Sequence, residues 1–154
     1  MSHWLTNRGK LLLMQGNWDD VGASVIKIEL LAGASVPTGI DTAAEVADLN
    51  TVTDLLGATG TPARPVGGWY TRKDLSRTNA SEDDTNDRVN MDAGNVTWTA
   101  AAVGETIYGG FWIDTTTDTN DTTRLLYGVF LFSSAVPTNG SDLTLTINDL
   151  VRAS

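Results

Sequence analysis

Between residues 105 and 147, three runs of apolar residues recur with the period of two that only extended chain can use. In Glu105 to Asp114, Ile107, Phe111 and Ile113 share one parity while Tyr108 and Trp112 share the other. Arg124 to Ser133 behaves alike, with Leu125, Tyr127, Val129 and Leu131 set against Leu126, Phe130 and Phe132. Strands apolar on both parities are predicted to be covered on both faces. Leu143, Leu145 and Ile147 instead alternate with Thr144, Thr146 and Asn148, the pattern of a half-buried strand. Gly109 and Gly110 lie mid-strand, where glycine marks a bulge or a close backbone approach.

The N-terminal half mixes periods. Thr6 to Gln15 predicts a short helix, with Thr6 or Asn7 as cap, Gly16 as stop and Gly9 as a weak point. Ala23 to Leu31 predicts a strand whose Ile26, Ile28 and Leu30 face inward, opposite Val25, Lys27 and Glu29. A second helix is expected over Ala43 to Leu56, opened by a Thr42/Glu45 capping box. Pro62 to Pro65 reads as a stiff linker, and Gly68 to Leu75 and Asn95 to Thr99 as strands. Arg77 to Asp87 reads as a polar, exposed loop, and Asn139-Gly140 as a turn. No repeat or linker divides the chain, so residues 1–154 are expected to form one domain. The fold class is mainly β: an antiparallel β-sandwich or barrel-like sheet with two short helices in the N-terminal half.

Composition narrows the functions. The net charge of -9 opposes nucleic acid as the main ligand, because phosphate backbones are bound by positive charge. The one local basic group, Arg72, Lys73 and Arg77, is interrupted by Asp74. Without cysteine there are no disulfides and no thiolate metal sites. The short apolar run Leu11 to Met14 is neither a secretory core nor a membrane span, so a soluble protein is expected.

Chemistry-bearing constellations are sparse. His3 is the single histidine, in a terminus read as mobile, with no second histidine to share a metal. Acidic residues group as Glu82, Asp83, Asp84 and Asp87, and as Asp114, Asp118 and Asp121, but without the spacing of a calcium loop. No serine sits in a nucleophile elbow, and neither Gly67-Gly68 nor Gly109-Gly110 opens a phosphate loop. Asn79, Asn95, Asn120 and Asn139 each begin a glycosylation triplet, as expected by chance in a chain this rich in Asn and Thr. The reading is a protein with no catalytic centre and no cofactor or metal.

Four stretches carry a resemblance. They are Leu5 to Lys10 with Leu11 to Met14, then Val25 to Leu30, then Thr51 to Leu56, and finally the β runs from Val96 to Ile147. In order and spacing they resemble small structural proteins of tailed-phage virions, of the head decoration (cement) or tail-associated kind. The resemblance implies a β-sandwich-like, non-enzymatic subunit assembling in many copies on a virion, present in the host cytoplasm during assembly. Its expected partners are the major capsid protein, other virion proteins and further copies of itself, with no nucleic acid and no membrane. Capsid decoration is the leading expectation. The alternatives are a neck or tail subunit, or a carbohydrate- or receptor-binding module using Trp69, Tyr70 and the Glu82 to Asp87 carboxylates. Interface contacts are expected from Trp4, Leu5, Trp18, Trp69, Tyr70 and Arg72, since aromatic and arginine side chains give large contact area with few rotamers to freeze.

Overall fold

A computed structural model describes residues 2–16, 25–78, 80–85, 88–116, 120–147 and 151–153. Antiparallel sheets dominate, accompanied among the described residues by three short helices. The main sheet has five strands: β1 (Ser2–Leu5), β2 (Ile26–Ala32), β3 (Lys73–Asp74), β7 (Thr106–Asp114) and β8 (Leu126–Pro137). Their order is β1-β8-β7-β2-β3. A three-stranded sheet joins β4 (Ser81–Asp83), β5 (Arg88–Met91) and β10 (Val151–Ala153) in the order β10-β5-β4. The strands β6 (Val96–Trp98) and β9 (Leu143–Leu145) form a third.

Among the described residues the main sheet does not close into a barrel, because β1 and β3 end it without pairing to each other, and the three sheets do not make a clear sandwich. The expected sandwich or barrel is therefore replaced by one sheet buried on both faces. One face meets Leu12, Val96, Trp98 and Leu145, packed on Ile26, Ile28, Leu30, Trp112 and Phe130. The other meets Val46, Val52 and Leu55 from two helices, packed on Leu31, Phe111, Ile113, Val129 and Leu131. Double coverage explains why β7 and β8 are apolar at both parities. Trp112 and Phe130 stack across β7 and β8 with centroids 6.1 Å apart.

Two bulges reassign faces that strict alternation misplaces. The β7–β8 register shifts between Ile107 and Gly109, and again between Trp112 and Ile113. Ile107 consequently packs with Trp112, away from Phe111 and Ile113, and Tyr127 lies opposite Val129. Gly109 and Gly110 fulfil the expected close approach: a side chain at Gly109 would meet the Phe130 carbonyl, and one at Gly110 the Glu29 carbonyl.

The first helix, α1 (Asn7–Met14), is capped by Thr6 and ends at Gly16 with φ 81°. Thr6 also fastens it to β8: its hydroxyl accepts from Gly9 N–H at 2.7 Å and donates to the Leu126 carbonyl at 2.7 Å. Gly9 lies directly on the Tyr127 carbonyl, which leaves no room for a Cβ. The terminus bearing His3 is a strand, not a mobile tail, because β8 offers it a pairing edge over Gly128 to Leu131.

The expected helix over residues 43–56 is two helices, α2 (Ala43–Ala47) and α3 (Val52–Leu56). Each begins at a complete capping box, Thr42/Glu45 and Thr51/Asp54. Between them the backbone turns toward the sheet: Asn50 O accepts from Leu126 N–H at 3.0 Å, and Val52 N–H donates to Arg124 O at 3.2 Å. Two further expectations change. Gly68 to Leu75 supplies only the two residues of β3, and Arg77 to Asp87 holds β4 and the buried Arg77 rather than only exposed loop.

Candidate functional site

Strand β2 places Glu29 opposite Phe111 on the face covered by α2 and α3, next to Leu31. The alternation reads Glu29 as an outward, solvated residue, yet its side chain is 1% exposed. A carboxylate so buried is tolerable only with charged hydrogen-bond partners. They come from the chain before β3. Arg64 donates through Nε to Glu29 Oε2 and through Nη2 to Oε1 at 3.2 Å. Arg72 donates through Nε to Oε1 at 2.5 Å. Tyr70 Oη donates to Oε2 at 3.3 Å while accepting from Leu30 N–H at 3.0 Å.

A second carboxylate joins from the loop before β8. Asp121 accepts from Arg64 Nη1 at 2.7 Å, from Arg72 Nη2 at 3.2 Å and from Arg124 Nη1. Three guanidinium groups thus face two carboxylates, with Arg64 also 5.7 Å above the Phe111 ring. Arg124 is nearly as buried as Glu29, and among the described residues its Nε has no hydrogen-bond partner. Arg64 is 23% and Arg72 33% exposed, so the cluster opens to solvent on their side.

The proton affinities follow this crowding. Burial alone would raise the pKa of Asp121, but hydrogen bonding to Arg64 and the charges of Arg64, Arg124 and Arg72 hold it below the ordinary aspartate range. Burial would likewise lower Arg64, and its bonds to Asp121 and Glu29 reverse that. Arg124 is lowered, first by burial and then by the neighbouring charge of Arg72. Burial and the Glu29 charge raise the Tyr70 phenol. These bonds make a staple joining β2, the 61–72 segment and the loop before β8.

The six interface candidates divide. Tyr70 and Arg72 belong to this cluster, and Trp69 lies edge-on to Tyr70 with centroids 5.8 Å apart. Trp4 and Leu5 sit on β1 at the far end of the sheet, with β8 and β7 between them and β2. Both are half-buried, Trp4 toward one core and Leu5 toward the other. Trp18 lies outside the described residues, as do Asp87 and Asp118. Among the described residues no three His, Asp or Glu side chains are placed to share a metal ion. Asp114 instead accepts from Thr116 N–H at 2.8 Å. Of the basic group, Arg72 is ion-paired, Arg77 is buried, and Asp74 pairs with Lys27 at 2.7 Å.

Sequence reasoning missed Glu29, Arg64, Asp121 and Arg124 as one constellation. The available signal was a single carboxylate followed at once by apolar residues of both parities, Ile-Glu-Leu-Leu.

Two surface features stand out, one beside this cluster and one away from it. An open depression of about 390 Å³ is lined by Ala32, Gly33, Arg64, Val66, Glu105 and Thr106, among others, with no aromatic ring. At the other end of the sheet, Leu11 and Met14 lie three residues apart on α1, 42% and 86% exposed. Among the described residues no helix is long and apolar enough to cross a membrane. Comparison with protein-family models, curated proteins and solved structures finds nothing that matches this chain.

Proposed function

We propose that this chain is a non-enzymatic structural subunit of a tailed-phage virion, most specifically a capsid decoration protein that binds and stabilises the major capsid lattice as one 154-residue domain. Support comes from the resemblance of its sequence runs and from its N-terminal edge. The observation that carries the docking side is the pair Leu11 and Met14, exposed on α1 beside the terminal strand β1. A chain with net charge -9 that leaves these side chains in water gains by covering them with a protein surface. Small contacts of this kind, repeated over a lattice, sum through multivalency. The acidic remainder keeps a loaded particle soluble.

The sugar-binding alternative has weaker support. Tyr70 spends its hydroxyl on Glu29 and Leu30, and the depression lacks the aromatic lining such a site uses.

The test is co-sedimentation of the purified chain with expanded empty capsids, alongside a Leu11→Ser/Met14→Ser variant. Saturable binding at a fixed copy number, lost in the variant, supports decoration through this edge. A ring-sized oligomer that ignores capsids refutes it and points to the neck or tail.

A further inference from the structure

The staple holds one more positive than negative side chain. Among the described residues, three arginines meet two carboxylates, so one positive charge has no counter-charge within the cluster. Donors are also in excess. Each guanidinium has five N–H groups. Arg64 uses three of its five on Glu29 and Asp121, and Arg72 uses two. Both bond Glu29 Oε1, so the two forks are adjacent, and both are partly open to solvent.

We propose that the solvent-facing edges of Arg64 and Arg72 form a binding site for a single phosphate group. Paired guanidinium forks are pre-shaped for the several acceptor oxygens of a phosphate. Here their positions are fixed from behind by Glu29 and Asp121, so little side-chain entropy is lost on binding. The depression bordered by Arg64 supplies room beyond the phosphate itself. Glu105, on another part of its wall and bonded to Val66 N–H at 3.0 Å, repels an anion from that side and confines it to the guanidinium side. The chain's net charge of -9 opposes any anion at long range. At physiological salt that field is screened beyond about 8 Å, so the adjacent guanidinium groups decide the local balance.

The test is titration of the full chain with inorganic phosphate at constant ionic strength, by calorimetry and by the arginine Nε–H resonances in NMR. Saturable one-site binding is expected, with shifts at Arg64 and Arg72. Arg72→Met should weaken it by about tenfold or more, the scale of a charged hydrogen bond. Arg72→Lys, which keeps charge and loses the fork, should fall between. Lys10→Met removes an equal charge from an exposed site on α1 and should leave the affinity unchanged. Absence of saturation overturns the proposal, as does an equal loss in Lys10→Met, which would mark simple net-charge attraction. If Arg72→Met fails to fold, the wild-type resonances decide: shifts confined to Arg64 and Arg72 support the site, and shifts spread over all arginines refute it.

Discussion

Replacing Glu29 by glutamine keeps the volume of the side chain and removes its charge. Two guanidinium groups that now share a carboxylate would face a neutral amide whose own N–H groups point donors at donors. Removing one partner of a buried ion pair costs about 3–5 kcal/mol. Glu29 is 1% exposed, but Arg64 and Arg72 retain contact with water at 23% and 33%. Solvent therefore relieves part of the penalty, and the lower end, about 3 kcal/mol, is expected. For a chain of this length each kcal/mol moves Tm by about 2–4 °C, so Glu29→Gln should melt about 6–12 °C lower. Urea unfolding followed by tryptophan fluorescence measures the same loss, since Trp98 and Trp112 are buried. A Glu29→Leu/Arg64→Leu/Arg72→Met variant removes the set and leaves Asp121 with Arg124. It should recover to within about 1 kcal/mol of the parent, because apolar replacements of whole buried ion sets are close to neutral. A loss below about 1 kcal/mol in Glu29→Gln, with an unchanged urea slope, would refute the assignment of Glu29 as the anchor of the staple.

Other outcomes follow from single contacts. Gly9→Ala gains helix propensity of about 1 kcal/mol. It should still destabilise by about 2 kcal/mol in thermal melts, because the new Cβ meets the Tyr127 carbonyl. Thr6→Ala removes both the α1 cap and the bond to Leu126, and should cost about 2 kcal/mol in urea unfolding. Asp121 and Asp54 have depressed folded pKa values, so their contribution is complete above the unfolded value of about 3.9 and is lost as pH falls through the folded one. Stability measured between pH 5 and about pH 2 should therefore fall, and Asp121→Asn should flatten that fall. Leu11→Ser/Met14→Ser should change stability by no more than about 0.5 kcal/mol, while under the proposed function it abolishes capsid binding.

Much of the fold is legible in the chain because its signals are local. Thr6, Gly16 and the Thr42/Glu45 box mark helix ends by what one side chain does for a nearby amide. The dual apolar parity of β7 and β8 correctly implies two covered faces. The second box, Thr51 with Asp54, was equally legible, but the periodicity of Val46, Leu49, Val52 and Leu56 runs straight through it. What is not legible depends on residues distant in sequence. Strand β1 has four residues and no periodicity, and it exists because β8 offers an edge. The bulges that flip Ile107 and Tyr127 come from the pairing of two strands, not from either alone. Glu29 looks solvated until Arg64 and Arg72 arrive from 35 and 43 residues downstream.

The pairing of β1 with β8 also sets an order of events during synthesis. Trp4 lies opposite Val129, so β1 waits for β8, far later in the chain, before it has a neighbouring strand. A nascent chain ending before Leu126 carries Trp4, Leu5, Leu11 and Leu12 without β8, the strand that β1 pairs with and α1 is fastened to. Such high contact order slows folding and prolongs exposure of apolar surface. Docking of β1 onto the main sheet therefore has to wait for β8, and truncated chains ending before Leu126 should aggregate where the 154-residue chain folds.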